Sequence, residues 1–399
     1  MREVLTLQIG QCGNQIGNEF WKRISEEHEN NEGRKDRFFY NGNIPRGIFI
    51  DTEPRVVDKE FRNNFFIAND GIGAGNNFAQ GYKIGRESSE DILDLINRHV
   101  EACDSLEGMI FIHASAGGTG SGFGSYLSDS LREIYGFKKI FTSFTVLPTN
   151  KEASEVVVQP YNTILTLDKL YKNMNMVVLM DNYALSKQTI TSNLINSIPI
   201  DKAHTFESLN DVASDVIANF TSSIRFPSHM FCTMDSITKV LCPFNNFKFI
   251  VPSYIKRNSS VNEIMNNLIK QKTMLCDYED SSLYSTFSIM NNLNRIKHSS
   301  ETVMRCSRLI QPRINFYGLP FYLFNLNKSD SSMGLINSTF TRTIFRKIAS
   351  QFDQIYQRNA FIEMYKKNDY TSEMFNEARE NIEELIKSLE SAEQVKSSN

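Results

Sequence analysis

The sequence has no run of about 18 consecutive apolar residues, so no conventional membrane-spanning helix is expected. It has no basic excess either. Its 43 Lys and Arg face 46 Asp and Glu, a formal net charge of −3. General nucleic-acid binding needs a basic field and is therefore not expected. Cysteine is sparse. None of Cys12, Cys103, Cys232, Cys242, Cys276 and Cys306 forms a C-x-x-C pair, and the six histidines show no ligand spacing. That argues against zinc and for reduced, mostly buried thiols. The opening Met1-Arg2-Glu3 enters a strand-like run with no apolar stretch and cleavage site, so no secretory leader is expected. Internal repeats and low-complexity linkers are missing as well. What is plentiful is core material: 41% hydrophobic residues and 29 Phe in 399 residues, which excludes wholesale disorder. At about 150 residues per domain, two or three domains are expected.

The first half alternates strand-like and helix-like patterns. Residues 4–9, 47–51, 109–113, 140–147 and 176–180 read as strands. Helical spacing appears after 10–17 (Ile16, Phe20, Ile24) and at 89–100 and 126–135. Such alternation predicts an α/β fold whose parallel sheet is covered on both faces and binds ligands at its carboxyl ends. A helix is expected over 205–224, striped by Phe206, Leu209, Ala213, Val216, Phe220 and Ile224. The stretch 225–337 reads as a second α/β layer, with β-rich pieces at 247–251 and 316–324. From Thr339 two amphipathic helices in antiparallel contact are expected, one striped by Phe340, Ile344, Ile348, Phe352 and Ile355. The other carries Phe375, Ala378, Ile382, Leu385 and Leu389, with 394–399 frayed. The expected domains are 1–204, 205–338 and 339–399.

The sharpest local feature is Ala116-Gly117-Gly118-Thr119-Gly120-Ser121-Gly122-Phe123-Gly124. Five glycines there follow a strand and open a helix. Glycine lets backbone N–H groups approach a ligand, and a helix N-terminus favours an anion. Thr119 and Ser121 would add hydroxyl donors. No Walker lysine follows, so this is a phosphate loop of another kind. A second glycine loop, Gly71-Ile72-Gly73-Ala74-Gly75-Asn76-Asn77, lacks the dinucleotide-binding order and reads equally well as a plain turn. A third, 10–17, follows the first strand directly. Several loops of N–H donors after different strands point to a polyphosphate. Asp51 and Glu53 end the second strand, and carboxylates beside phosphate call for a cation; Mg²⁺ with several waters is the natural one.

Together these residues resemble the tubulin family, and within it the γ-tubulins. The signature run 116–122 begins with alanine as γ forms do. Further γ-like segments are Arg34-Lys35-Asp36-Arg37-Phe38-Phe39-Tyr40, Glu53-Pro54-Arg55-Val56-Val57, Asp104-Ser105-Leu106-Glu107-Gly108, Val156-Val157-Val158-Gln159-Pro160-Tyr161-Asn162 and Asn359-Ala360-Phe361-Ile362-Glu363. The resemblance spans essentially the whole chain, densely to about residue 185 and thinly over 225–335. It implies a tubulin-like fold: a nucleotide-binding parallel-sheet domain, a central helix, a second α/β domain and a C-terminal helical pair.

It also implies a GTP/GDP site with Mg²⁺. Gln11 and Cys12 would lie by the phosphates and base. Glu53, with Asp51 close by, would hold the metal through water. Asn76 would reach the terminal phosphate, and Ala116, Gly117, Gly118, Thr119 and Gly120 would cradle the phosphates. Gln159 would sit at the ribose. Asn182 and Asn210 would hydrogen-bond guanine while Phe206 stacks on it. The distance from Asn182 to Phe206 is longer than in the family, which places an insertion within 186–204.

Two departures bear on activity. A family serine is Ala114 here. After Pro227 the chain reads Ser228-His229-Met230-Phe231-Cys232-Thr233-Met234-Asp235-Ser236. There the acids that activate water on a neighbour's GTP become Thr233 and Ser236, and Asp235 stands one position off. The resemblance therefore implies at most a weak GTPase, with no catalytic residue assigned. The expected role is nucleation of microtubules at minus ends, in the cytoplasm and cytoskeleton at a microtubule-organising centre or spindle pole. The implied partners are the α/β-tubulin dimer, ring-complex proteins and lateral copies of the chain, with no nucleic acid and no membrane. The alternative is a self-polymerising tubulin with GTPase activity in trans. A stand-alone metabolic enzyme is disfavoured, since no nucleophile–base pair or hydride site is visible.

Overall fold

A strand whose seven residues are all buried, Glu3–Ile9, starts the fold. Burial of both its faces is the mark of a parallel sheet covered on each side. The structure is a computed structural model that describes residues 2–29, 32–41, 43–54, 64–68, 71–148, 156–195, 206–226, 233–256, 261–268, 270–278, 285–294, 315–316, 321–326 and 331–397. The chain forms two compact units. The first is Met1–Asn18, Lys35–Val177 and Phe345–Lys387; the second is Glu19–Arg34, Val178–Ile344 and Ser388–Asn399.

The first unit opens with β1 (Glu3–Ile9) and α1 (Gly10–Glu29), whose later turns belong to the second unit. The small antiparallel pair β2 (Phe39–Tyr40) and β3 (Ile44–Pro45) precedes β4 (Gly47–Asp51) and β5 (Phe65–Ile67). Helices α2 (Phe78–Glu87) and α3 (Ser89–Glu101) lead to β6 (Leu106–Ala114), α4 (Gly124–Tyr135), β7 (Ile140–Leu147) and α5 (Gln159–Asn173). The strands lie in the order β7-β6-β1-β4-β5 and every neighbouring pair is parallel. Strands β4 and β7 have the bounds the sequence pattern predicts.

One expectation is corrected. Residues 10–17 are not a loop, because α1 begins at Gly10 itself. Glycine is a poor helix former, but here close packing requires it. A Cβ on Gly13 would stand 3.1 Å from the carbonyl carbon of Ile112 on β6.

The second unit takes over within β8 (Met176–Asp181), whose six residues are all buried. It continues with α6 (Asn182–Ile195), α7 (Phe206–Arg225), α8 (Met234–Leu241), β9 (Phe249–Ile255) and α9 (Val261–Leu268). Then come β10 (Ser285–Asn294), β11 (Asn315–Phe316), β12 (Phe321–Leu326) and β13 (Ser332–Ser338). Here the pairing is mixed: β13 runs antiparallel to β9 and β10, while β11 and β12 run parallel to β10. Helix α7 departs from the single stripe its sequence predicts, since residues 212–225 are all buried. Its polar side chains bond inside the unit. Asn219 Nδ2 donates to Asp215 O (2.9 Å) and to Ser331 Oγ (2.9 Å), and the fully buried Arg225 pairs with Glu27 at 2.7 Å. The expected insertion falls partly on 196–205, outside the described residues.

The C-terminal helices are α10 (Thr341–Tyr356), the short α11 (Ile362–Lys366) and α12 (Ser372–Ser397). The expected antiparallel contact is present. In the first unit Arg379 grips Asp353 with two bonds of 2.9 and 3.0 Å, and in the second Arg342 meets Glu393 at 2.8 Å. Tyr161 of α5 packs edge-on against Phe352, Tyr365 and Phe375. Helix α12 continues to Ser397, past the point where fraying was expected.

Candidate phosphate site at the carboxyl edge of the first sheet

Ile9 on β1 is level with Ile50 on β4 and with His113 on β6. Because the three strands are parallel, Gly10, Asp51 and Ala114 leave the sheet at one level on one edge. The chain runs from β1 to β4 on one side and later returns to β6 on the other. Such a reversal opens a crevice beyond the strand ends, where α/β sheets bind ligands.

The start of α1 lies at this reversal. Gly10 has φ +75°, and a Cβ on it would lie 2.9 Å from the Gly120 N. The helix N-terminus and the glycine loop are thus held against each other. Gln11 is exposed and Cys12 half-buried. Burial pushes the Cys12 thiol up to about 12, which keeps it a protonated, inert thiol. Asn14 is buried, and its Nδ2 donates to Ile50 O (3.2 Å) and to Asp51 Oδ2 (3.1 Å). Thr52 N donates to Asp51 Oδ1 at 2.8 Å. Burial lifts the Asp51 carboxyl above the usual range, offset in part by those bonds. Asp51 therefore faces inward, and of the two acids Glu53 is the exposed one.

After β6 the backbone turns through Ser115–Gly118. Ser115 N donates to Val146 O (3.0 Å). Residues Thr119–Phe123 then form a wide π turn in which Gly124 N–H reaches Thr119 O. Turns of this kind recur at functional sites. The glycines are required where backbones meet: a Cβ on Gly118 would lie 2.8 Å from the Ala74 Cβ and 2.9 Å from the Asn77 N. At Gly117, by contrast, the nearest atom is Asn76 Oδ1 at 3.9 Å. Thr119 Oγ1 meets Thr52 Oγ1 at 2.6 Å. The Ser121 hydroxyl, expected to face a ligand, is buried and donates to the Gly117 and Gly118 carbonyls. Its role here is to brace the turn.

The 71–77 loop is more than a turn. Gly73 N donates to Thr52 O (2.8 Å), and Asn76 takes the left-handed conformation with φ +52°. Asn77 caps α2, its Oδ1 accepting from Ala79 N (2.8 Å) and Gln80 N (3.3 Å). Asn162 joins this loop to the other, with Nδ2 donating to Asn76 O (2.8 Å) and Ala116 O (2.7 Å). Sequence reasoning did not single out Asn14, Asn77 or Asn162 for these roles. The one available signal was an amide side chain inside an otherwise apolar segment. Gln159 is the first residue of α5 and is half-buried.

The remaining predicted residues are in the second unit. Asn182 begins α6, where Tyr183 N donates to Asp181 Oδ1 at 2.7 Å. Phe206 begins α7 and is 73% exposed, and Asn210 lies one turn later on the same helix face. The stretch 227–232 is outside the described residues, but α8 shows what Thr233 and Ser236 do. Thr233 and Ser236 form a capping box, with Ser236 N donating to Thr233 Oγ1 (3.1 Å) and Thr233 N to Ser236 Oγ (2.8 Å). Asp235 pairs with Lys239 at 2.7 Å.

The donor set at the edge is backbone N–H groups, amides and hydroxyls around one exposed carboxylate. Among the described residues no group of three or more His, Cys, Asp or Glu could hold a metal ion by itself. A hard cation here would need phosphate oxygens and water to complete its shell, which fits Mg²⁺. Among the described residues no helix is long and apolar enough to cross a membrane.

Residues 3–189 match the Tubulin/FtsZ family, GTPase domain. The match covers the whole phosphate edge described above, from β1 through the start of α5. Over those residues the chain is similar to the GTPase domain of that family.

Proposed function

We propose that the protein is a γ-tubulin-like subunit that binds GTP as a structural ligand and nucleates microtubules at their minus ends. It would work within a ring complex at a microtubule-organising centre or spindle pole. The observation that carries this reading is the Thr233–Ser236 capping box, which uses as helix caps the two positions that the resemblance aligns with water-activating acids. A subunit without those acids can hold an incoming neighbour without triggering hydrolysis on another.

On this reading residues 1–204 bind the nucleotide, 205–338 form the core helix and intermediate domain, and 339–399 the C-terminal helical part. Gly117, Gly118 and Gly120 turn N–H groups to the phosphates beside the α1 N-terminus, with Gln11, Cys12, Asn76, Ala116 and Thr119 around them. Glu53, backed by Asp51, would hold Mg²⁺ through water, and the ion would offset charge between phosphate and carboxylate. Gln159 would take the ribose. The assignment of guanine to Asn182, Phe206 and Asn210 rests on the resemblance and on the exposure of Phe206 at a helix start. GTP bound to the folded subunit stabilises it by linkage. A row of such subunits beside one another raises the effective concentration of sites for α/β-tubulin dimers and so lowers the nucleation barrier.

The second reading, self-polymerisation with a trans GTPase, has Asp235 in its favour, whose side chain is 41% exposed beside Lys239. The deciding experiment extracts bound nucleotide and follows GTP turnover against protein concentration. Retained guanine nucleotide with flat, slow turnover supports the nucleating subunit. Turnover that climbs steeply with concentration, and is lost in Asp235→Ala, supports the polymerising one.

A further inference from the structure

We infer that Asn162 is a positioning residue of the phosphate site, setting the spacing of the two glycine loops without touching the nucleotide. The inference rests on the GTP-binding reading of that edge. Asn162 is the fourth residue of α5 and is fully buried. Its carboxamide makes four hydrogen bonds. Nδ2 donates to Asn76 O (2.8 Å) and Ala116 O (2.7 Å); Oδ1 accepts from Phe78 N (3.0 Å) and from the Tyr365 hydroxyl (2.7 Å). Two amide hydrogens and two lone pairs are the whole capacity of the group, and all are used.

Each bond falls at a place where the site needs a fixed backbone. Asn76 holds a left-handed conformation, and Phe78 is the first residue of α2. One side chain thereby sets the end of the 71–77 loop and the first turn that follows it. Ala116 is where the other loop leaves the sheet edge. Phosphate groups held from both sides need the two sets of N–H groups aimed at one point. A single side chain bonded to both backbones sets that distance.

The fourth bond extends the arrangement. Tyr365 lies on α11, and the same short helix accepts Asn77 Nδ2 at Met364 O (3.2 Å). Just before it, Ala360 O accepts the Tyr161 hydroxyl (2.9 Å). The loop spacing is thus tied to the segment 360–365. On the outer side of that segment Phe361 and Met364 remain 47% and 48% exposed.

The test compares the affinity of the full chain for GTP and for guanosine, which keeps base and ribose but has no phosphates. The variants are Asn162→Ala and Tyr365→Phe. Asn162→Ala should lose GTP affinity about tenfold or more, and Tyr365→Phe about threefold, with guanosine affinity unchanged in both. A residue that only supports the fold would lower both affinities together. If Asn162→Ala does not fold, Tyr365→Phe decides, since it removes one hydroxyl and keeps the ring packing. Unchanged GTP affinity in Tyr365→Phe, or equal losses for GTP and guanosine, overturns the inference while the GTP reading stands. A wild-type chain that binds no guanine nucleotide overturns both.

Discussion

Thr52, just beyond the end of β4, and Thr119, in the glycine loop after β6, share a hydrogen bond of 2.6 Å between their hydroxyl oxygens. Strand β1 lies between those two strands in the sheet. The bond closes the crevice edge over the end of β1 and orients the one hydroxyl of the loop that is not used as an internal brace. Replacing Thr52 by Val keeps the shape and removes the partner. We expect a loss of about 1 kcal/mol in the nucleotide-free protein, read from urea denaturation, with GTP still retained. A loss of GTP binding without loss of stability would contradict this.

The two adjacent glycines of the loop should behave differently. Gly118→Ala forces a methyl against Ala74 and the Asn77 backbone. It should cost about 1–3 kcal/mol as overpacking and weaken GTP binding as the loops separate. Gly117→Ala meets open space and should change the stability of the nucleotide-free chain by less than about 0.5 kcal/mol. Any loss of GTP affinity in Gly117→Ala then reports the space the phosphates occupy. Thermal melts with and without GTP distinguish the two effects.

The second unit has its own buried charge network. The Tyr254 hydroxyl donates to Asp215, whose other oxygen stands 3.2 Å from Arg23 Nη1. Asp215 is buried, so loss of a donor leaves a carboxylate short of partners in low dielectric. Tyr254→Phe should destabilise the protein by roughly 1.5–3 kcal/mol. An unchanged urea midpoint would mean that water or Arg23 replaces the bond at no cost.

Acid should weaken the first unit through two histidines. Burial pushes His113 and His99 down from 6.5 to about 4, and for His99 the charges of Arg98 and Arg46 add to the effect. His113 stays neutral in the fold, beside Ser143 Oγ at 2.9 Å. Between pH 6.5 and 4 the unfolded chain binds the more protons. The stability tied to neutral imidazole is therefore full above the unfolded value, is lost as pH falls through that window, and changes no further below it. The slope should approach about 1.4 kcal/mol per pH unit for each histidine. Urea midpoints from pH 7 to pH 5 should fall less steeply in His113→Gln than in the wild type; parallel slopes would refute the assignment.

Much of the architecture is legible in one dimension because its signals are local. The apolar runs at Gly47–Asp51 and Ile140–Leu147 are strands with those same bounds, since a buried strand is a short apolar run between turn residues. The stripes near Phe340 and Phe375 are helices for the same reason. Misreadings arose where distant contacts outweighed propensity. Gly10-Gln11-Cys12-Gly13 looks like a loop until β6 lies beside it, and then only a helix without Cβ atoms at Gly13 fits the space. Ser121 reads as a ligand donor until the wide turn folds its hydroxyl back onto the loop carbonyls. The all-round burial of residues 212–225 could not be read from a helical stripe, because polar residues such as Asn219 and Arg225 are satisfied by partners far away in the chain.

The sequence alone made legible the α/β class, the buried strands at 47–51 and 140–147, and the glycine-rich runs before α2 and after β6. Those properties depend on residue type and short spacing. The tertiary structure decided which loops meet, that Asp51 faces inward while Glu53 faces out, and that one amide, Asn162, joins the 71–77 loop to the loop after β6. Those bonds join Asn162 to Asn76 and Ala116, 86 and 46 residues away in the chain. A hydrogen bond across such distances leaves no local periodicity, and only the closed sheet brings its two ends together.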